Sequence, residues 1–149
     1  MNRLKTLSAG IAVLACAALP ALASADEAVA LLKNVTGQVQ VLRGSTTLPA
    51  SAGMGLQAAD RLLSQAGASA GITFRDGTRI ALGPSSELLV RDFVFKPKEA
   101  TYLFDVHLAH GSALYTSGTL AKVAPAAVKI STPSAMIGVR GTRFIVEAE

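Results

Sequence analysis

The stretch Ile72-Thr-Phe-Arg-Asp-Gly-Thr-Arg-Ile-Ala-Leu-Gly-Pro-Ser-Ser-Glu-Leu-Leu-Val90 reads as a strand, a turn and a second strand. If residues 75–77 form a three-residue loop, Ile72 stands opposite Ile80 and the large apolar side chains share one face. A two-residue loop at Asp76 and Gly77 would distribute the same side chains over both faces. We therefore predict a type I turn followed by a G1 bulge, with Gly77 at a positive φ.

Apolar and polar residues alternate along most of the remaining chain, a spacing typical of strands that are wet on one side. The alternation is clearest in residues 38–41, 68–75, 102–108, 128–131 and 143–147. It changes phase once, between Val90 and Phe93. A phase change within one strand predicts a β-bulge near Arg91 and Asp92.

Turn-forming residues separate these runs about every ten residues, which favours an all-β domain built as a sandwich, a roll or a solenoid-like stack. The predicted turns lie at residues 43–45, 53–55, 76–77, 83–86, 96–98, 110–112 and 117–118. Only residues 28–33 and 57–65 could form short helices. Within the second segment, residues 58–63 favour entry into a strand.

Residues 1–25 have the features of a secretory signal peptide, which we expect to form a helix before the domain. Arg3 and Lys5 supply a positive start, residues 7–22 are apolar, and Ala23-Ser24-Ala25 is a small-x-small cleavage signal. Cleavage after Ala25 would deliver the protein to the periplasm or the medium.

Two other interpretations of this segment are less favoured. A membrane anchor would have the required length, but the segment is rich in alanine and interrupted by Pro20. A lipoprotein cut before Cys16 would carry the bulky Leu14 in its recognition sequence, and its apolar region would be cut in the middle.

The expected organisation is a signal peptide at 1–25, a lead-in at 26–34 and one β domain at 35–149. Removing 25 of the 149 residues leaves 124, with 12 of the 14 basic residues against 10 acidic ones. A net charge of +2 gives no support to nucleic-acid binding. Cys16, the only cysteine, would leave with the leader, and no later segment is apolar enough for a stable transmembrane anchor.

The residue patterns of catalytic and metal sites are missing, so we expect no enzyme activity, no metal and no cofactor. His107 and His110 are three apart in strand-like sequence and should leave opposite faces, without a third ligand of recognisable spacing. No Gly-x-Ser-x-Gly motif surrounds any serine in turns or strand ends, namely Ser85, Ser86, Ser112, Ser131 and Ser134. The scattered acids are expected to be solvated or to cap turns: Asp60, Asp76, Asp92 and Asp105.

Three segments together resemble the FecR domain: Gly37-Gln-Val-Gln-Val41, Phe74-Arg-Asp-Gly-Thr-Arg-Ile-Ala-Leu-Gly-Pro-Ser-Ser86 and Thr132-Pro-Ser-Ala-Met-Ile-Gly-Val-Arg-Gly-Thr-Arg-Phe144. The resemblance covers about residues 35–147. It implies a β-rich extracytoplasmic module, with turn and structural motif residues at Asp76, Gly77, Gly83, Pro84, Gly138, Arg140, Gly141 and Thr142.

In the iron-uptake regulators of that family, the domain is the periplasmic part of an inner-membrane anti-sigma protein. The sequence shows no sigma-binding segment and no internal transmembrane helix. We therefore expect no transmembrane signalling by this chain alone. Family members usually continue after the Val-Arg-Gly-Thr strand, so an open edge at residues 144–147 could accept a partner's strand or a second copy.

The expected function is thus that of an exported, non-enzymatic binding module of the bacterial cell envelope, with a role in envelope signalling. Its partner would be a protein or an envelope polymer. A weak candidate interaction surface consists of Arg79, Arg91, Arg140 and Arg143, although such arginines also commonly protect sheet edges. The alternatives are a structural or assembly subunit and a glycan-binding envelope protein.

Overall fold

The computed structural model describes residues 27–139 and 143–149. Within these residues the chain is almost entirely β-structure, with one short α-helix, α1 (Thr119–Val123), and two single-turn 3₁₀ helices, Pro97–Glu99 and Pro125–Ala127. The described strands are β1 (Ala30–Thr36), β2 (Val39–Arg43), β3 (Thr46–Pro49), β4 (Gly55–Leu56), β5 (Arg61–Ser64), β6 (Ser69–Phe74), β7 (Arg79–Leu82), β8 (Glu87–Lys96), β9 (Thr101–Thr116), β10 (Val128–Ser131), β11 (Met136–Gly138) and β12 (Arg143–Ala148).

One curled sheet connects these strands in the order β3-β2-β5-β8-β9-β7-β6-β1-β4, and β10 and β12 also pair with β9. The long strand β9 divides the sheet into two layers. Its first part pairs with β8 and with the parallel strand β10. Its last residues pair with β7 and β12. We call the layer of β1, β4, β6, β7 and β12 the front layer, and the other the back layer.

The two layers enclose a single hydrophobic core. Phe74 of the front layer lies with its ring centroid 4.9 Å from that of Phe104 and 5.4 Å from that of Phe93, both in the back layer. Phe104 also contacts Tyr115, which in turn packs on Phe144 of β12. Aromatic rings in tilted and edge contacts supply much of the packing energy of such a small core. The all-β prediction is therefore confirmed as a curled, mostly antiparallel sheet.

The predicted hairpin between β6 and β7 is confirmed. Ile72 pairs with Ile80, Ala70 pairs with Leu82, and Gly77 has a φ of +87°. The predicted bulge in β8 is also confirmed, because its pairing with β9 shifts between Val90 and Asp92. Both features follow from the rule that opposite residues of a sheet share a face.

The predicted turn at residues 110–112 is wrong, because β9 continues through it. Gly111 has a φ of +93°, which bends the strand at the place where it passes from the back layer to the front layer. A Cβ at this position would collide with Ser86. The glycine therefore marks a bend within one strand, where the sequence pattern suggested an end.

The structure corrects two further expectations. Residues 28–33 are not a helix, since Ala30–Thr36 forms β1, which pairs with β6. The described helix, Thr119–Val123, was not predicted. In residues 57–65, the expected strand is present as Arg61–Ser64.

The predicted signal peptide, its cleavage site after Ala25 and Cys16 lie outside the described residues. Within residues 27–139 and 143–149, no helix is both long enough and apolar enough to cross a membrane.

Candidate functional site

Asp76, in the turn of the β6–β7 hairpin, is a buried hub and only 4% exposed. Its carboxylate accepts hydrogen bonds from the backbone N–H of Thr78 at 3.0 Å and from the Thr78 hydroxyl at 2.7 Å. It also accepts one from the backbone N–H of Leu120, at 3.1 Å. A carboxylate without water needs such donors, because burying it unpaired is costly. Asp76 is thus turn-capping, as expected, but it is not solvated.

The same carboxylate caps α1 from 44 residues away in sequence. The position before the helix is Gly118, which has no side chain to cap it. A Cβ at Gly118 would lie within 2.7 Å of the Asp76 carbonyl oxygen. The glycine therefore allows the helix to approach the hairpin turn closely enough for Asp76 to reach the Leu120 N–H.

Tyr115 borders this hub. Its hydroxyl is buried and makes no hydrogen bond with the described part of the chain. Burial, together with the nearby negative charge of Asp76, raises the pKa of Tyr115 to about 12. The side chain therefore stays neutral and serves the core through its ring.

A second polar hub lies where β7 turns into β8. The Ser64 hydroxyl donates to the Gly83 carbonyl at 2.6 Å and accepts from the Ser86 N–H at 3.0 Å. The Ser86 hydroxyl donates to the Pro84 carbonyl at 2.9 Å and accepts from the Ser112 N–H at 2.9 Å. These bonds satisfy backbone groups at the bend of β9. The Ser86 hydroxyl, one of those considered as a nucleophile, therefore has a structural role.

The structure thus places four of the predicted motif residues, Asp76, Gly77, Gly83 and Pro84, in two turns stabilised by internal hydrogen bonds. Gly138 ends β11, and a Cβ there would contact nothing within 4 Å. Arg140, Gly141 and Thr142 lie outside the described residues. The motif residues in these two turns therefore stabilise the fold.

Asp60 likewise caps a turn, one of the two roles expected for it, but it is not solvated, since it is 1% exposed. Arg43 holds its two carboxylate oxygens at 2.9 and 2.7 Å, and the Gln57 N–H donates to it at 2.8 Å. A two-point arginine bond of this kind balances the cost of burying the acid. It also joins the end of β2 to the start of β5.

Sequence reasoning missed a contact between His107 and Ser131. The ring Nδ1 lies 2.9 Å from the serine hydroxyl, because β10 runs parallel to β9 with these residues side by side. Ser131 is 6% exposed, and no carboxylate among the described residues hydrogen-bonds to the ring. Asp105 lies on the same face of β9 but does not join the pair. A buried serine with an unoriented base lacks the arrangement of a nucleophile.

His110 lies apart from this pair and faces Glu87, with 3.7 Å between its Nδ1 and a carboxylate oxygen. Over residues 27–139 and 143–149, His, Cys, Asp and Glu side chains nowhere form a group of three that could hold a metal ion.

The remaining candidate is the outer face of the front layer, which carries a shallow trough of about 410 Å³. Its floor is low because the paired residues Gly71 and Ala81 have almost no side chain. Asn34 lies over Gly71 so closely that a Cβ there would collide with it. Lys33 and Arg79 line the trough together with Thr73, Leu114 and Thr116.

Two of the four predicted interaction arginines come together on this face. Thr116 of β9 pairs with Arg79 of β7 on one side and with Arg143 of β12 on the other. Directly opposite residues share a face, so Arg143 lies on the same outer face as Arg79, which lines the trough. Arg91 is instead exposed at the bulge of β8, in the back layer, and Arg140 lies outside the described residues.

The cations on this outer face differ from some other basic residues in having no ion-pair partner in the described part of the chain. Arg61 and Arg75 form ion pairs with Glu87 and Glu27. Lys33, Arg79 and Arg143 form none with any other residue that the structure describes. Lys33 was not predicted as part of a site. The alternation of polar and apolar residues in β6, β7 and β9 is enough to place Thr73, Arg79 and Thr116 on the outer face. It does not show that β1 lies beside these strands, and that position brings Lys33 to the trough.

The family model described as FecR protein matches residues 60–149, more than half of the chain. No curated protein and no solved structure matches the chain. The matched region begins at the buried acid Asp60 and contains both polar hubs.

The chain therefore belongs to the FecR family. The family is one of envelope signalling-related proteins and is not known as enzymatic.

Proposed function

We propose that this FecR-family protein is an exported binding module that acts in envelope signalling by holding an acidic, extended segment of a partner protein in the trough. The observation that carries the proposal is a set of three cations on one outer face, Lys33, Arg79 and Arg143, which form no ion pair with another residue of 27–139 or 143–149. Charged groups left unpaired on one side of a small domain attract a partner of opposite charge and speed its association.

The shape of the trough favours an extended segment. The floor at Ala81, beside the Asn34 side chain that covers Gly71, leaves room for side chains that alternate along a strand. Leu31 and Ile145, at either side of this face, are exposed by 41% and 66%. Apolar side chains beside cations suit a segment in which acidic and apolar residues alternate.

Export supports the same proposal. The leader at residues 1–25 has the features of a secretory signal peptide, and the family is one of the cell envelope. The partner would therefore be an envelope protein that meets the processed chain outside the cytoplasm.

The experiment is photo-crosslinking in cells, with a photoreactive residue in place of the exposed Ala81. We expect one crosslinked protein product, found in the envelope or periplasmic fraction. The variant Lys33→Glu/Arg79→Glu should lose most of that product, because it reverses the charge of the trough. The control Arg91→Glu/Lys98→Glu makes the same change in net charge on exposed residues elsewhere and should keep it.

The proposal is contradicted if the trough variant crosslinks as well as the control. It is also contradicted if the product from position 81 is polysaccharide, which would indicate a glycan-binding protein. Circular dichroism should show the same spectrum for all variants, since these side chains lie on the outside.

A further inference from the structure

Strand β12 has one edge in use. Its residues 143–148 pair with residues 111–116 of β9. No strand in residues 27–139 pairs with its other edge, so that edge presents backbone N–H and C=O groups that can accept another strand. The N-terminal strand β1 does not cover it, since β1 lies at the far side of the front layer, beside β6 and β4.

The two faces of β12 differ in composition. Val146 is 4% exposed and Phe144 packs on Tyr115, so these side chains point into the core. Arg143, Ile145 and Glu147 point outward. The exposed Ile145 has a positive charge, Arg143, two residues before it and a negative charge, Glu147, two residues after it. Reversing the strand direction about Ile145 therefore exchanges the positive and the negative position.

This pattern is complementary to itself in the antiparallel direction. Opposite residues of a continuing sheet must lie on the same face, so only registers centred on Phe144, Ile145 or Val146 are allowed within this stretch. Centring on Ile145 places each Arg143 opposite the Glu147 of the other copy. Centring on either neighbour places a charged residue opposite Ile145 and leaves the charges unmatched.

We propose that the partner of this edge is a second copy of the chain, joined in an antiparallel β12–β12 pair centred on Ile145. The interface is isologous, with the two isoleucines in contact at the two-fold axis and an Arg143–Glu147 pair on each side. The front layers of the two copies then form one continuous sheet across the axis.

The charges also explain why the edge selects its own copy. Charged residues on an edge strand discourage pairing with unrelated strands, because desolvated or like charges oppose it. The self-pair in this register matches every charge. Arg143 and Ile145 are shared with the proposed ligand surface, whereas Lys33 and Arg79 lie outside the dimer contact, so charge reversal at Lys33 and Arg79 tests the ligand separately from the dimer.

The test is sedimentation of the purified protein over a range of concentrations. We expect a concentration-dependent dimer. Arg143→Glu alone and Glu147→Arg alone should each weaken it about tenfold or more, because both cross-strand pairs become like-charged. The double variant Arg143→Glu/Glu147→Arg should restore dimerisation, since it exchanges the two charges. The controls Arg91→Glu and Glu99→Arg change net charge equally and should dimerise as the wild type does.

A mixture of the two single variants gives the sharpest result. Each is repelled by itself, but the two attract each other at both charge pairs, so equimolar mixing should produce a heterodimer. A wild-type protein that remains monomeric at its highest soluble concentration overturns the proposal. So does a dimer that both single variants retain, because it would use another surface. Neither result bears on crosslinking at Ala81.

Discussion

Asp76 and Arg79 are three residues apart on one hairpin, yet they lie in opposite environments. Asp76 is buried, and its carboxylate accepts three hydrogen bonds from two segments of the chain. Arg79 is exposed and pairs with no charged residue that the structure describes. The inner side of this hairpin is thus occupied by internal contacts, whereas its outer side is exposed.

The two sides also differ in what a substitution should change. Removing a buried hydrogen-bonding group leaves its partners unsatisfied and lowers the free energy of unfolding. Removing an exposed charge changes binding and leaves the fold nearly as stable as before. Variants of the inner and outer residues can therefore separate scaffold from site.

The largest expected effect is that of Asp76→Ala. It leaves the N–H groups of Thr78 and Leu120 without their acceptor, so we expect the free energy of unfolding to fall by about 3 kcal/mol. Arg79→Ala, on the outer side, should stay within about 0.5 kcal/mol of the wild type. Urea denaturation followed by circular dichroism measures both. Equal losses of stability for the two variants would contradict the assignment of Asp76 to the internal contacts and of Arg79 to the exposed side.

Gly118→Ala should have the next largest effect. The added methyl group would press against the backbone of the hairpin turn, 2.7 Å from the Asp76 carbonyl oxygen. Overpacking of this kind costs about 2 kcal/mol. Gly138→Ala is the matched control, because its methyl group meets nothing within 4 Å. If both variants unfold at the same urea concentration, α1 is not held against the turn as described.

Tyr115→Phe should show the smallest effect, and one that depends on pH. The folded protein raises the tyrosine pKa from its ordinary value of 10.0 to about 12. Between these values the unfolded chain loses the proton and the folded protein keeps it, so wild-type stability falls as pH rises. The phenylalanine variant has no proton to lose, so its stability does not fall in this way. Its free energy of unfolding relative to that of the wild type should therefore increase by about 1 kcal/mol between pH 9 and 11.

Thermal or urea unfolding at several pH values checks this expectation. The difference between the two proteins should be flat from pH 7 to 9 and increase only above that range. A difference that does not change up to pH 11 would mean that the Tyr115 hydroxyl is not held in a buried environment near Asp76.

Local sequence was sufficient for the β6–β7 hairpin and the β8 bulge. Both depend on residues within a few positions of each other, and the requirement that Ile72 and Ile80 share a face leaves one register. The bend of β9 at Gly111 was mistaken for a turn, since a glycine after a polar residue looks the same in both cases. Its role depends on Ser86, which lies 25 positions earlier.

The candidate site was predictable only in part. Arg79 and Arg143 were both named from the sequence, but their position on either side of Thr116 follows from two pairings of β9 that no local pattern contains. Lys33 was missed for the same reason. The pairing of His107 with Ser131 likewise depends on a parallel strand 24 residues away.

The sequence by itself determined that this chain is an all-β member of the FecR family, because alternation and turn residues act over a few positions and the family's motifs can be read directly. Only the tertiary structure decided which charges are buried and which are free. The pairing of β7 with β9 brings α1 beside the hairpin turn, where Asp76 accepts the Leu120 N–H. The positions of β1 and β12 in the sheet leave Lys33 and Arg143 facing outward with Arg79. Burial is a property of the assembled sheet, and a charge keeps its place inside only where distant donors reach it.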